Sequence, residues 1–557
     1  MTAPSRSPRT ALAGVGISLV VVMASLLATL HAAGPRTLLT PPAGASASAS
    51  ASAPASAAQV GAGTLPPTGP IPSGSAAASA SAPPTTPPPP IATGAPVASG
   101  TLPATPAPAT QSPTSATPLD TATGKDIKPP VALPARVDLY AGAVSITAGQ
   151  PLELHVSTAA AGYRLSIARS DATVSGGSQV VATVDGRPGH DYRALATYDS
   201  LTRTARANWP VTDRVVSSGW SPGVYIATAT DTSGTLGRAI FVVRNQVLTP
   251  NQPVFVFSAL TYQAYNLWGG GNLYGYAGPK ATRVSFERPY DQAGGRGFWT
   301  KSDDRILAWL QRRQQLQYTT DYDLAVAPPA IVPRLVIFPR HTEYVPLALR
   351  DWLEHYVNDL GYMNVLSFGA NGFYWQVRLA AARTAGAPLD IVCYKSAAAD
   401  PEAAAHPGLA TVRWQDEPVN RPEGAVIGSQ YAEVVADGYA RYNLSVTADA
   451  PAWLLQGTGW VTGTVARGLL QGEADAPYPG SGSVGVLAGV APDPLGHRIY
   501  PASTIRVSPA GSRIFDAGSF GWADGLSPAV INMGTTQGSF DRLNENLLRW
   551  LGFPVNP

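Results

Sequence analysis

Between Arg36 and Asp120 the sequence carries no charged residue. The stretch is dominated by Ala, Ser, Pro, Thr and Gly, with runs such as ASASASASAPASA and PPTTPPPP. A segment of that composition buries no apolar core, and its prolines stiffen the backbone. Residues 34–134 therefore read as a disordered linker or stalk. What can fold must lie before it or after it.

Before it, Arg6 and Arg9 precede an uncharged apolar stretch from Ala11 to Ala33. About 20 such residues span a bilayer, and the arginines favour a cytoplasmic N-terminus with an exported body. Residues 1–33 are thus expected to be a single-pass membrane anchor, placing the chain in the cell envelope. A cleaved signal peptide is the alternative, because LHAAG offers small residues for cleavage. No cysteine follows the stretch, which excludes lipoprotein attachment.

After the linker come two regions of different pattern. From about 135 to 248 the chain has short alternating runs (PLELHVST, YRLSIARS, GVYIATAT) and a hairpin signal at Asp231-Thr232-Ser233-Gly234. This predicts a small immunoglobulin-like β-sandwich. From 249 to 557, apolar strands (VFVFSA, LVIFP, VLSFGA, LDIVCY) alternate with helix-like stretches (DRILAWLQRRQQL, LALRDWLEHYVNDLG, YWQVRLAAARTAG). That alternation predicts a doubly wound α/β domain with a parallel sheet, carrying a β-rich insertion around 453–508.

Composition removes several function classes. Net charge is +2 and only 13% of residues are charged, so nothing suggests a nucleic-acid groove. The single cysteine, Cys393, excludes a disulfide framework and a four-cysteine zinc site, and its apolar run LDIVCY suits an inert buried thiol. No HExxH and no close histidine pair occurs, which disfavours the common zinc hydrolases. The Gly269–Gly271 triplet lacks the lysine of a phosphate loop.

Each predicted strand of the second region runs into polar residues. Tyr262 follows VFVFSA, His341 and Glu343 follow LVIFP, Asn371 follows VLSFGA, and Lys395 follows LDIVCY. Parallel strands would bring these ends to one edge, where open α/β sheets bind ligands. The set is rich in oxygen donors, which suits either a hard metal such as ferric iron or a sugar-binding cleft. In the second case the aromatic cluster Tyr265, Trp268, Tyr274 and Tyr276 would be a glycan-binding surface with no catalytic role.

In chain order the motifs TYQAYNLWGGGNLYGY, VSFERPY, DYDL, HTEYV, FGANGFYWQVRL, CYKSAAADP, RPEGAVIGSQY, GEAD and IFDAGSFGWADGL resemble the large-subunit family of N,N-dimethylformamidase. The resemblance spans about 136–557. It implies a class I glutamine amidotransferase-like fold without the cysteine nucleophile, and a mononuclear ferric iron held by two tyrosines and one glutamate. Matched motif by motif, it assigns Tyr262, Glu343 and, from SPGVY, Tyr225 as metal ligands. It places His341 beside them, Asn371 and Lys395 on the pocket wall, and Glu473 of GEAD as a base. The implied reaction is cleavage of an amide C–N bond in a small-molecule substrate, with a small partner subunit or a homo-oligomer in view. Thr342 departs from the family, which often carries aspartate there.

Overall fold

The computed structural model describes residues 126–130, 133, 136–275, 279–291, 299–381, 389–531 and 537–555. These fall within one compact unit of the chain. The segment 11–33 and nearly all of the 34–134 linker lie outside the described residues, as does Tyr276. Among the described residues no helix is long and apolar enough to cross a membrane. The single-pass anchor expected from residues 11–33 therefore finds no support in the structure.

Alternation of apolar and polar residues builds the N-terminal part. In Pro151–Ser157, Leu152, Leu154 and Val156 point inward while Glu153 and His155 point outward. This strand pairs with Asp138–Ala141 and Asp213–Val216 in a three-stranded antiparallel sheet. A five-stranded sheet runs in the order Ser145–Thr147, Leu236–Arg244, Gly223–Asp231, Gly162–Ser170, Ser178–Pro188. Both contribute to one apolar core that includes Leu139, Leu154, Leu165, Ile167 and Phe241. The hairpin between Gly223–Asp231 and Leu236–Arg244 turns where Asp231 Oδ1 accepts the backbone N–H groups of Ser233 and Thr235.

The C-terminal part is not the doubly wound α/β fold that the sequence pattern suggests. Across the whole structure strand outweighs helix, at 34% against 18%. The largest sheet has nine strands. Five are parallel, in the order Gln317–Thr320, Val254–Phe257, Leu335–Phe338, Asn364–Ser367, Arg513–Asp516. Four antiparallel strands continue it: Ala502–Val507, Val484–Ala488, Tyr442–Val446 and Val465–Leu470. The region expected as an insertion thus supplies part of the sheet itself.

A second sheet of four strands takes chain that a doubly wound fold would give to crossover helices. It runs Arg283–Ser285, Asp390–Val392, Trp375–Ala380, Tyr344–Pro346. The stretch YWQVRLAAARTAG, expected as a helix, contains the strand Trp375–Ala380. That strand is paired on one side by Tyr344–Pro346 and on the other by Asp390–Val392. Backbone pairing on both edges overrides the helical preference of Leu, Ala and Arg. LDIVCY joins this second sheet, so it is not a strand of the parallel set. What survives of the expected geometry is local: Val254–Phe257, Leu335–Phe338 and Asn364–Ser367 are adjacent, parallel and end on one edge.

Candidate functional site

The edge is built by chain segments packed too closely for variation. After Leu335–Phe338, the Arg340 backbone N–H donates to Asp303 Oδ1 at 3.2 Å. The Thr342 hydroxyl meets Ser258 Oγ at 2.7 Å, so it takes part in a short hydroxyl pair and not in a charged contact. The Glu343 N–H donates to Thr261 Oγ1 at 3.0 Å. A side chain at Gly369 would place its Cβ 1.6 Å from the carbonyl oxygen of Arg340, so only glycine lets the two strand ends pass.

Those contacts aim Glu343 and His341 inward, where they are 1% and 2% exposed. Glu343 Oε2 accepts from the Tyr265 hydroxyl at 2.8 Å, and Oε1 accepts from the Tyr274 hydroxyl. The two phenol oxygens are 2.6 Å apart. His341 Nε2 lies 3.1 Å from Glu343 Oε2 and 3.1 Å from the Tyr265 hydroxyl. Its Nδ1 is 3.2 Å from the Ala370 carbonyl, which can only accept, so Nδ1 carries a proton.

Tyr265 ends the helix Ala259–Tyr265, and the chain must then reverse to bring Tyr274 back to it. Gly269 and Gly270 adopt φ of 72° and 87°, which L side chains rarely tolerate. Arg288 is 1% exposed and staples the reversal. It donates to the carbonyls of Trp268 (3.0 Å), Gly271 (2.5 Å) and Gln263 (3.3 Å). Asn272 Oδ1 then accepts from the backbone N–H groups of Tyr274 and Gly275, which fixes the return.

Three further residues face this group. Asn371 Nδ2 donates to Glu473 Oε2 at 2.8 Å, and the same oxygen lies 3.6 Å from His341 Nε2. Asn371 has φ of 51°, an unusual value for a side chain, and its N–H is held by both oxygens of Asp475 at 2.9 and 3.0 Å. Lys395, also left-handed at φ 58°, stands over the rings of Tyr274 (4.0 Å) and Trp375 (4.4 Å) and donates to Tyr344 Oη at 2.8 Å.

The electrostatics are those of a crowded, dry site. Burial opposes the Glu343 charge, but the bond and charge of His341, with Lys395, outweigh it and hold its pKa below the usual carboxylate range. Burial likewise opposes the His341 imidazolium, yet the carboxylates of Glu473 and Glu343 raise its pKa. Burial pushes Glu473 up to about 7 and Lys395 down to about 8. Burial, then the Glu343 charge, holds the Tyr274 phenol protonated well above the ordinary tyrosine range.

Of the residues singled out in the sequence, the structure brings His341, Glu343, Asn371, Lys395 and Glu473 together. It does not bring Tyr262 or Tyr225 to them. The Tyr262 hydroxyl donates to Asp303 Oδ2 at 2.8 Å, and its ring packs on Phe257. Tyr225 is fully buried in the sandwich core, stacked on Trp220 and Phe241, with its hydroxyl on the Ser221 carbonyl at 2.6 Å. The tyrosines beside Glu343 are Tyr265 and Tyr274. Both hydroxyls are engaged with Glu343, and Trp268 is buried against Trp209.

Among the described residues no group of three or more His, Cys, Asp or Glu is arranged to hold a metal. The donors gathered at Glu343 are instead two phenols and one carboxylate. Two strings match catalytic or nucleotide-binding patterns by composition alone. Gly219-Trp220-Ser221-Pro222-Gly223 has the spacing of a nucleophile elbow, but it links two strands and no helix follows it. Gly480-Ser481-Gly482-Ser483-Val484-Gly485 has dinucleotide-fingerprint spacing, but it runs from the turn after Glu473–Pro477 into the strand Val484–Ala488, again without a helix.

Residues 164–536 match the family described as N,N-dimethylformamidase beta subunit-like, C-terminal. The chain belongs to this family. Membership gives the dimethylformamidase-like chain an amidohydrolase-like role in coarse terms. No curated protein matches it. Among solved structures, superoxide reductase (neelaredoxin) from Ignicoccus hospitalis aligns over 19% of this chain and 78% of its own, at 15% identity and a TM-score of 0.13. An alkylpurine DNA glycosylase from Pseudomonas fluorescens aligns over 20% and 32%, at 13% identity and a TM-score of 0.13. Overlaps this slight carry nothing about fold or activity.

Proposed function

We propose that the chain is an iron-dependent amidohydrolase-like enzyme that cleaves an amide C–N bond, with Tyr265, Tyr274 and Glu343 as the metal-binding set. One observation carries the reading: two phenols and a carboxylate converge within hydrogen-bonding distance in a buried site. Three acidic oxygens so close repel one another once ionised, and a hard cation is the partner that their chemistry suits. Such a cation, when bound, supplies Lewis acidity towards an amide carbonyl.

The chain's own groups account for the proton traffic. Hydrolysis joins a water oxygen to the carbonyl carbon, breaks the C–N bond and moves one proton to the departing amine. Glu473, with a pKa near 7, is poised both to take a proton from water and to return it to the amine. Asn371 aligns Glu473 through its Nδ2, and its Oδ1 has no partner among the described residues, leaving an acceptor for a substrate N–H or for the attacking water. The Lys395 ammonium, in its cage of aromatic rings, is placed to polarise a carbonyl oxygen.

The test is metal content together with the visible spectrum of the purified protein. About one iron per chain and a phenolate-to-iron band are expected, lost in Tyr265→Phe and in Tyr274→Phe and kept in Tyr262→Phe and Tyr225→Phe. An unchanged band in both of the first two variants, or no metal after loading, defeats the proposal.

A further inference from the structure

Arg340 immediately precedes His341, and its guanidinium has no acid bound to it. Among the described residues its Nη1 reaches only Ser302 Oγ, at 3.3 Å, and its buried Nε has no hydrogen-bond partner. Among the described residues it forms no ion pair. The acids nearby are already engaged. Asp303 accepts from the Tyr262 hydroxyl and the Arg340 backbone, Asp524 is clasped by Arg305 (2.5 Å) and Arg441 (2.6 Å), and Glu473 is held by Asn371. Arg340 thus lies in the field of Asp524, Asp303 and Glu473 without forming an ion pair with any of them.

The guanidinium is also fixed in orientation relative to the site. Its carbon lies 4.4 Å over the Phe520 ring, and the same ring meets the His341 imidazole edge-on at 4.8 Å. Arg340 is thus one phenyl ring away from His341. Stacking holds the plane of the guanidinium, and the N–H groups other than the buried Nε and the one on Ser302 Oγ are left for an anion. The arrangement suits a molecule with a carboxylate a few bonds from the group that reaches Glu473.

We propose that Arg340 is an anion-recognising subsite of this pocket and that the substrate is an amide bearing a carboxylate, of the N-acyl amino acid class. The substrate class rests on the amidohydrolase reading above; the anion preference does not require turnover.

The experiment is calorimetric titration of the purified protein with N-acetylglycine and with its neutral counterpart N-acetylglycinamide, for the natural protein, Arg340→Gln and Arg340→Lys. Charge-assisted hydrogen bonds predict that the acid binds roughly tenfold or more tightly than the neutral amide. Arg340→Gln should abolish that preference without weakening the neutral ligand, and Arg340→Lys should restore part of it. Equal binding of the two ligands, no binding of the acid, or a preference that survives Arg340→Gln overturns the inference. Thermal melting of each variant separates these outcomes from misfolding. Amine release from both compounds is measured alongside. Absence of turnover with a standing acid preference refutes the amidohydrolase reading alone, and turnover without the preference refutes the Arg340 subsite alone.

Discussion

Tyr265 and Tyr274 stack nearly face to face, with ring centroids 4.1 Å apart, an interplanar angle of 24° and hydroxyl oxygens 2.6 Å apart. Nothing local to either residue enforces this. It follows from the glycine reversal between them and from Arg288, whose guanidinium gathers carbonyls from both sides of the turn. The pairing of the two phenols is therefore a property of a loop held from behind.

Arg288→Lys should unfasten that loop. A lysine ammonium is a compact point donor and cannot span the carbonyls of Trp268, Gly271 and Gln263 together. Leaving two or more buried carbonyls unpaired costs about 3 kcal/mol or more. Urea unfolding should show that loss, and iron uptake should fall with it. A variant of natural stability would mean that the loop is held by something else.

Gly369→Ala tests the crossing of strand ends that delivers His341 and Glu343. Its Cβ would lie 1.6 Å from the Arg340 carbonyl, so the backbone must shift, at a cost of about 3 kcal/mol. Gly372→Ala is the control, since its Cβ would meet only Ile427 Cδ1, at an ordinary 3.6 Å, and should cost less than about 1 kcal/mol. Similar melting temperatures for the two variants would refute the argument.

The two kinds of site residue differ in how far the sequence reveals them. His341, Glu343 and Asn371 are legible because each follows a short, mainly apolar strand, and such strands end together. Lys395 obeys the same rule although its strand, Asp390–Val392, lies in the four-stranded sheet and not in the parallel set. Tyr265 and Tyr274 are visible as aromatic residues, but choosing them over Tyr262 requires knowing how the helix Ala259–Tyr265 is rotated. The available signal was the Gly269–Gly271 triplet, which marks a tight reversal and hence two tyrosines returning to one place. Asp475 was missed because it acts on backbone: its carboxylate holds the Asn371 N–H, a role without a motif. The doubly wound expectation failed for a related reason. Strand Trp375–Ala380 owes its form to neighbours distant in sequence, and periodicity in LAAARTAG cannot report them.

Behind Asn371, Asp475 and Asp516 form a buried pair of acids, and Ser429 Oγ donates to Asp516 Oδ2 at 2.6 Å. Burial raises Asp516 to about 6, above its value near 3.9 in an unfolded chain. A raised folded-state pKa means that the native state holds the proton more tightly. The associated stability is complete below about pH 4 and is lost as pH rises through about 6. Asp516→Asn, neutral at every pH, should gain stability on the natural protein as pH rises across that window. Urea midpoints at pH 4.5 and 7.5 measure it; a difference between the two proteins that does not change with pH would refute the assignment.

Asn371→Gly separates the architectural role of this position from its chemical one. Glycine accepts φ near 51° without strain and keeps the N–H that Asp475 holds, while it loses chain entropy on folding; the two effects leave stability within about 1 kcal/mol. What disappears is the amide that donates to Glu473. That bond favours the charged carboxylate, so its loss should move the Glu473 pKa upward from about 7. Under the amidohydrolase reading, the acid limb of the pH–rate profile, which reports ionisation of the base, should shift to higher pH. Turnover at neutral pH should fall by about a hundredfold, as expected for a misaligned general base. Asn371→Ala should show the same kinetic change with an added stability loss of about 1 kcal/mol, because its Cβ remains in the left-handed region. If the profile stays in place while turnover falls, Asn371 acts on substrate alone and Glu473 is not the base it aligns.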